Sequence, residues 1–161
     1  MIDRTQAVIN GLKFERETDL NKALVENGFT ISKTQVYHNG ELFGFSVPKH
    51  ALYRFLGEQS KKVLSKQLLP DEALIVPSLN TAFIIEKKFQ VRDGSVDEKL
   101  QTCDFKKRQY ERLMPEMAVK YIYVLSDFFK HPKYADVLDY IASVGCSYYF
   151  NSIPLSVLLD L

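Results

Sequence analysis

The chain has 161 residues, with 21 basic and 20 acidic side chains and a formal net charge of +1 at pH 7. Hydrophobic residues make up 46% and charged residues 25%, which argues against disorder, a collagen-like repeat and a coiled-coil rod. We expect one domain over residues 1–161, and the near-neutral charge disfavours a simple polycationic binder of nucleic acid.

Hydrophobic spacing and turn residues predict helices that alternate with short strands. In chain order these are a first helix that ends at Gly28, a strand over 29–37, a turn at Asn39-Gly40, a strand over 42–47, an inserted helix over about 48–66, strands over 68–76 and 81–90, a helix over 96–113, a strand over 120–125, a helix over 134–144, a strand over 147–150 and a last helix from 153. This order predicts the α/β (α+β) class, with a central mixed β-sheet flanked by helices.

Nothing in the sequence indicates export or a membrane anchor. The N-terminal residues lack the apolar run of a signal peptide, and no stretch approaches the roughly 18 apolar residues that span a bilayer. Cys103 and Cys146 belong to no metal-binding motif. We therefore expect a cytoplasmic protein with no membrane partner and with two reduced thiols.

Positive charge is gathered in the middle of the chain although the total is near zero. Residues 49–66 carry five basic side chains and one acidic one, and residues 86–120 carry nine basic and seven acidic ones. A solvated helix face and a phosphate-binding surface both give this pattern, so the basic stretches leave both readings open.

Two acidic positions carry the strongest chemical signal. Asp71 lies 15 residues before Glu86, with a turn at 77–80 between them, so an antiparallel hairpin would bring both carboxylates to one end of the sheet. Glu86 follows the apolar run 82–85 and shares a strand face with Lys88, which places charge where the pattern predicts burial. Two carboxylates suit Mg²⁺, which activates water for phosphodiester hydrolysis, and Mn²⁺ is expected to substitute.

These residues resemble the PD-(D/E)xK nuclease superfamily, which includes type II restriction endonucleases and Holliday-junction resolvases. Pro70-Asp71 followed by Glu86-Lys87-Lys88 matches its motif, and the resemblance covers roughly residues 11–150. It implies a restriction-endonuclease-like core in the order α-β-β-β-α-β, which the predicted order fits if the helix over 48–66 is an insertion.

The resemblance also assigns roles to individual residues. It implies that Asp71 and Glu86 hold the metal together with the backbone carbonyl of Lys87, and that Lys88 positions or activates the attacking water. Glu15, on the first helix, is the counterpart of a further catalytic carboxylate in the family. Glu15 is equally well interpreted as an ordinary exposed residue of the helix. Glu17 and Asp19 are the less favoured candidates for the same catalytic role.

In the family, the helix that follows this motif often lies along the DNA backbone. The corresponding residues, together with basic residues elsewhere in the chain, are the expected DNA contacts: Gln90, Ser95, Lys99, Lys62, Lys66, Lys106 and Lys107. The sequence assigns no role to the three histidines.

The resemblance implies a Mg²⁺-dependent endonuclease that cuts double-stranded DNA, with a type II restriction endonuclease as the leading hypothesis. A chain with one site would cut both strands as a homodimer or by sequential nicking, and a restriction role leaves room for a cognate DNA methyltransferase in the same system. Two alternatives stay open at this point: a junction resolvase or repair nuclease, and an inactive nuclease fold that serves as a DNA-binding or assembly module.

Overall fold

The computed structural model describes residues 4–91 and 94–159. The helices are α1 (Arg4–Glu17), α2 (Leu20–Glu26), α3 (His50–Leu56), α4 (Val96–Leu100), α5 (Cys103–Leu113), α6 (Ala135–Ser143) and α7 (Leu155–Leu159). The strands are β1 (Phe29–Ser32), β2 (Gln35–His38), β3 (Glu41–Ser46), β4 (Glu72–Val76), β5 (Thr81–Lys88), β6 (Ala118–Leu125) and β7 (Ser147–Phe150).

All seven strands form one mixed sheet, and their order across the sheet is their order in the chain. Neighbours from β1 to β5 are antiparallel, whereas β5, β6 and β7 are parallel. Helices α4 and α5 connect β5 to β6, and α6 connects β6 to β7, as parallel neighbours require. The predicted mixed sheet flanked by helices is therefore confirmed.

The sheet is buried on both faces because its central strand is apolar on both. Ala82 and Ile84 of β5 pack into the core that contains α4 and α5, and Phe83 and Ile85 pack into the core that contains Phe14 of α1 and parts of α2. Ala82 to Ile85 are all at most 1% exposed. This double burial is typical of a strand with a parallel neighbour and explains the continuous apolar run.

Both predicted turns of the antiparallel part are confirmed. Asn39 and Gly40 connect β2 to β3 with positive φ angles of 53° and 78°, which is the conformation of a two-residue hairpin turn. The segment Pro77–Leu79 is a short 3₁₀ turn that ends at Asn80 and connects β4 to β5.

The prediction of a single first helix is wrong. Its predicted span divides into α1 and α2 because the Asp19 side chain accepts a 2.8 Å hydrogen bond from the Lys22 N–H and caps a new helix. The apolar positions Val8, Ile9 and Leu12, expected to face the core, are 50–58% exposed.

Three other predicted spans are each interrupted. The helix over 48–66 ends at Leu56, because Gly57 has a φ of 100° and a 3₁₀ turn over Glu58–Lys62 follows. The strand over 29–37 divides into β1 and β2 at Lys33, whose φ is 56°. The helix over 96–113 divides between α4 and α5.

The structure also bears on the two cysteines and on the length and composition of the helices. Cys103 and Cys146 are buried and form no disulfide. Among the described helices, none combines the length and apolar composition that crossing a bilayer requires.

Candidate active site

The β4–β5 hairpin brings the two predicted metal-binding carboxylates to one edge of the sheet. Glu72 pairs with Ile85, so Asp71 just before β4 lies opposite Glu86. The Lys87 N–H donates a 2.8 Å hydrogen bond to Asp71 Oδ2 and fixes this carboxylate beside β5. Because the N–H and C=O of a strand residue point to the same side, the Lys87 carbonyl also faces Asp71.

Glu86 is buried, and it shares the side of β5 on which Ala82 and Ile84 pack. Burial first, and the negative charge of Asp71 second, raise the pKa of Glu86 from 4.5 to about 7. Among the described residues, none donates a hydrogen bond to the Glu86 carboxylate or pairs with it within 4 Å. The Glu86 carboxylate therefore has no direct ion-pair partner among the residues that the structure describes, although the charges of Lys88, Lys106 and Lys49 act on it.

Aromatic side chains form the wall behind Glu86. The phenols of Tyr110 and Tyr121 are buried, and their pKa values are raised, first by burial and next by the charge of Glu86. Tyr123 pairs with Glu86 across β5 and β6. These tyrosines belong to the core, and they keep water away from one side of the carboxylate.

Lysines approach from the open side. Burial lowers the pKa of Lys88, and the positive charges of Lys106 and Lys99 lower it further, whereas Glu86 and Asp71 oppose the shift. Lys106, half-buried on α5, also interacts with Glu86. Lys88 and Lys99 line one cleft and the charge of Lys106 acts on Lys88, so an anion would be attracted to this cleft.

Lys49 is the residue at this site that the sequence analysis missed. Its ammonium donates a 2.5 Å hydrogen bond to Asp71 Oδ1, and its N–H donates a 2.8 Å bond to the Pro70 carbonyl. Burial alone would raise the pKa of Asp71, but the bonds from Lys49 and Lys87 outweigh it and lower that pKa. No sequence signal marks Lys49 beyond its place at the start of the basic stretch.

The backbone of Lys49 is unusual. Its φ of 52° and ψ of −129° lie in a region that favours glycine, and a lysine held there costs about 1–3 kcal/mol. Such outliers in ordered proteins are concentrated at functional sites.

An ion pair lies on the other face of the hairpin. Lys87 Nζ is 3.3 Å from Glu72 Oε2, and both side chains are nearly buried. Glu72 Oε1 also accepts a 2.7 Å hydrogen bond from the Leu20 N–H, so this pair anchors α2 to the sheet. Strand alternation is the signal that identifies it, since the neighbours of Asp71 and Glu86 must point the opposite way.

Two clefts meet at Glu15. One, of about 560 Å³, is lined by Glu15, Lys49, Asp71 and Lys87, among others. The other, of about 370 Å³, is lined by Glu15, Lys87, Lys88 and Lys99, among others. Glu15 is exposed between them. The pKa of Lys49 is raised, although burial, the largest single influence, lowers it. The negative charges of Asp71 and Glu86 raise this pKa more than the charge of Glu15 does.

The substitutes for Glu15 have other partners. Asp19 caps α2 and lines the larger cleft. Glu17 forms an exposed ion pair with Lys13 at 3.7 Å. Glu15 and Asp19 both line the larger cleft together with Asp71, so the role of Glu15 stays a prediction.

The predicted DNA contacts separate into two groups. Lys99 and Lys106 approach Lys88, whereas Lys107 Nζ lies beside Gly145, where it would be 3.0 Å from an added Cβ. Lys62 and Lys66 are exposed beyond α3 and contact none of the carboxylates in the described part of the chain. No described contact brings Lys107, Lys62 or Lys66 to the site.

Gln90 follows β5, and Ser95 precedes α4. Gln90 is 7% exposed, and both polar atoms of its side-chain amide lack a hydrogen-bond partner among the described residues. Its backbone is fixed by two hydrogen bonds with the Ser126 hydroxyl, at 3.1 and 3.2 Å. Ser95 is exposed at the start of α4 and makes no side-chain capping bond.

The donor set fits one kind of metal site. Across residues 4–91 and 94–159, no three His, Cys, Asp or Glu side chains form a group that could hold a metal ion by themselves. Mg²⁺ is commonly bound by only one or two carboxylates together with water and substrate phosphate. Asp71 and Glu86, opposite each other at the end of the β4–β5 hairpin, are two carboxylates of this kind.

Stability is expected to depend on pH through Glu86. Its pKa of about 7 in the folded protein exceeds its ordinary value of 4.5, so the stabilising contribution is complete below pH 4.5 and is lost as pH rises through 7. In EDTA, Glu86→Gln should flatten the decrease in unfolding free energy between pH 5 and 8 by on the order of 2–3 kcal/mol. Urea denaturation across this range measures it, and parallel curves for both proteins would contradict it.

Comparisons of this chain with family models, with curated proteins and with solved structures found no match.

Proposed function

We propose that this protein is a Mg²⁺-dependent DNA endonuclease of the PD-(D/E)xK type. The observation that carries the proposal is the meeting of Asp71, Glu86 and Lys88 at one end of the β4–β5 hairpin, with Glu86 buried and Asp71 beside it. Structural ion pairs rarely require two neighbouring carboxylates at a buried strand end. A site that must bind a divalent cation and a phosphate does require them.

The topology is compatible with a restriction-endonuclease-like core. Helix α1, strands β3, β4 and β5, the pair α4–α5 and strand β6 follow the order α-β-β-β-α-β, with α2, β1 and β2 added between α1 and β3 and with α3 added between β3 and β4. The antiparallel pair β4–β5 and the parallel pair β5–β6 give the mixed sheet. In this arrangement α4 and α5 lie beside the carboxylates.

Each side chain has a defined task in the proposed hydrolysis. When bound, Mg²⁺ would lower the pKa of a water molecule and neutralise charge on the phosphate. Asp71 and Glu86 would hold it, with the Lys87 carbonyl on the same side. Lys88 would orient the attacking water or donate to a phosphate oxygen, and its lowered pKa makes proton transfer easier. Glu15, between the two clefts, would approach the metal or its water from α1.

The biological role that we propose is type II restriction. Each chain has one candidate site, so cutting both strands of a duplex requires a second copy or successive nicks. A homodimer and a palindromic DNA site would share a two-fold axis. A cognate DNA methyltransferase and a cytoplasmic location belong to this proposal.

Plasmid digestion tests the function. Supercoiled DNA is incubated with the protein and Mg²⁺, with and without EDTA, beside an Asp71→Asn variant, and the cut ends are sequenced. Discrete fragments with a common end sequence are expected from the wild type with Mg²⁺ alone. Equal behaviour of wild type and variant would overturn the assignment, and cleavage confined to four-way junctions would replace restriction with resolution.

Two neighbouring lysines on α5 provide a matched test of DNA contact. The charge of Lys106 acts on Glu86 and Lys88, whereas the Lys107 ammonium lies beside Gly145. In an Asp71→Asn background, Lys106→Met should reduce the salt dependence of duplex binding by about one phosphate contact, and Lys107→Met should not. Fluorescence anisotropy over a salt series measures both slopes. Equal salt-dependence slopes for the two variants would contradict a DNA contact at Lys106.

A further inference from the structure

The backbone conformation of Lys49 is energetically unfavourable for a residue that has a Cβ atom. Its φ of 52° and ψ of −129° are conformations that a glycine adopts without strain, yet the chain has a lysine there. The hydrogen bond from its N–H to the Pro70 carbonyl fixes the backbone next to Asp71. An observed outlier of this kind supports a functional role for the side chain.

The Lys49 ammonium lies among the carboxylates of the site. It bonds Asp71 Oδ1 at 2.5 Å, while Asp71 Oδ2 is bonded by the Lys87 N–H. The charges of Asp71, Glu86 and Glu15 all act on it. Lys49 is therefore hydrogen-bonded to Asp71, and the charges of two further acidic side chains attract its ammonium.

The position of Lys49 also allows it to leave. Its side chain is 54% exposed, whereas that of Asp71 is 25% exposed, and both line the cleft of about 560 Å³. A lysine has a flexible four-carbon stem, so its ammonium can move into the cleft without a change in the backbone.

We propose that Lys49 is the resident counter-ion of Asp71, that its ammonium leaves this carboxylate when a divalent cation binds, and that Lys49 is thus a positioning residue that weakens metal binding. The inference rests on the proposed function, since it assumes that Asp71 and Glu86 hold the cation. Its physical basis is that like charges cannot share one carboxylate pair without a loss of affinity. The displaced ammonium remains in the cleft, where it can meet substrate phosphate.

Metal affinity without DNA tests the exchange. Mn²⁺ binding to the full chain is measured by electron paramagnetic resonance and by calorimetry for wild type, Lys49→Met, Lys49→Arg and Lys61→Met. Lys49→Met should bind Mn²⁺ about tenfold more tightly, because the competing charge is gone. Lys49→Arg keeps the charge and should retain the wild-type affinity. Lys61, paired with Glu58 at 2.8 Å outside the site, is the matched control and should have no effect.

Thermal unfolding provides a second readout and a check on folding. In EDTA, Lys49→Met should melt below the wild type, because Asp71 loses its partner, and saturating Mn²⁺ should raise its melting temperature by more than that of the wild type. Methionine at the same backbone angles adds no new strain.

The outcomes separate this inference from the proposed function. Mn²⁺ binding that is lost in Asp71→Asn but unchanged or weaker in Lys49→Met overturns the exchange and leaves the metal site standing. Mn²⁺ binding that survives Asp71→Asn overturns the metal site and the exchange together.

Discussion

Replacing Lys88 with methionine is expected to lower the rate of Mg²⁺-dependent plasmid cleavage by about 10²–10³-fold, the usual effect of removing one group that stabilises charge in the transition state. Lys88 shares a strand face with Glu86, and its ammonium has a lowered pKa because it is half-buried and near Lys106 and Lys99. A methionine fills much of the same space but cannot orient water or donate to a phosphate oxygen.

Single-turnover cleavage measures this effect without a contribution from product release. Lys88→Arg keeps the charge but not the proton-transfer capacity, so it should recover part of the rate only if Lys88 acts through charge. Lys33→Met, at the exposed turn between β1 and β2, is the control for a lost lysine far from the site. Cleavage by Lys88→Met within threefold of the wild-type rate would remove Lys88 from the mechanism.

Breaking the ion pair between Glu72 and Lys87 is expected to have the largest effect on stability. Glu72→Gln should lower the unfolding free energy by about 3–5 kcal/mol, because the Lys87 ammonium would be left nearly buried without a counter-charge. The experiment belongs at pH 8 or above, since burial first raises the pKa of Glu72 to about 7 and the pair is complete only above that value.

Urea denaturation of a double-mutant cycle isolates the pair. The variant Glu72→Gln with Lys87→Met should recover much of the loss, because neither charge then remains buried alone. Glu17→Gln is the matched exposed control: Glu17 pairs with Lys13 in solvent at 3.7 Å, and its loss should cost less than about 1 kcal/mol. A cost for Glu72→Gln as small as that of Glu17→Gln would show that the buried pair is not a structural anchor.

The parts of the fold that follow from local sequence were predictable. The run Ala82 to Ile85 must be buried on both faces, and Asn39-Gly40 specifies a two-residue turn, so the central strand and one hairpin were read correctly. The same register carries Asp71 to the side of Glu86, so the proximity of these two carboxylates could be predicted from the sequence.

Other features depend on contacts that the sequence does not display. The strained conformation of Lys49 exists because distant segments hold it, including the carbonyl of Pro70 some twenty residues later. The break between α1 and α2 did have a local signal in Asp19, whose capping role was outweighed by the apolar spacing around it. Val8, Ile9 and Leu12 have helical spacing and are nevertheless exposed, since this spacing alone does not determine whether a core packs against that face of the helix.

The sequential order of the seven strands has a consequence for synthesis. Because each strand pairs with the one made just before it, a nascent chain can extend its sheet one strand at a time. The turns are short up to β3 and between β4 and β5, and the longer connections contain the helices α3, α4, α5 and α6. Glu86, however, acquires its neighbour Tyr123 only when β6 arrives. Until then its carboxylate stays open to water on that side. The candidate reactive centre is therefore completed only after β6 has been made and has paired with β5.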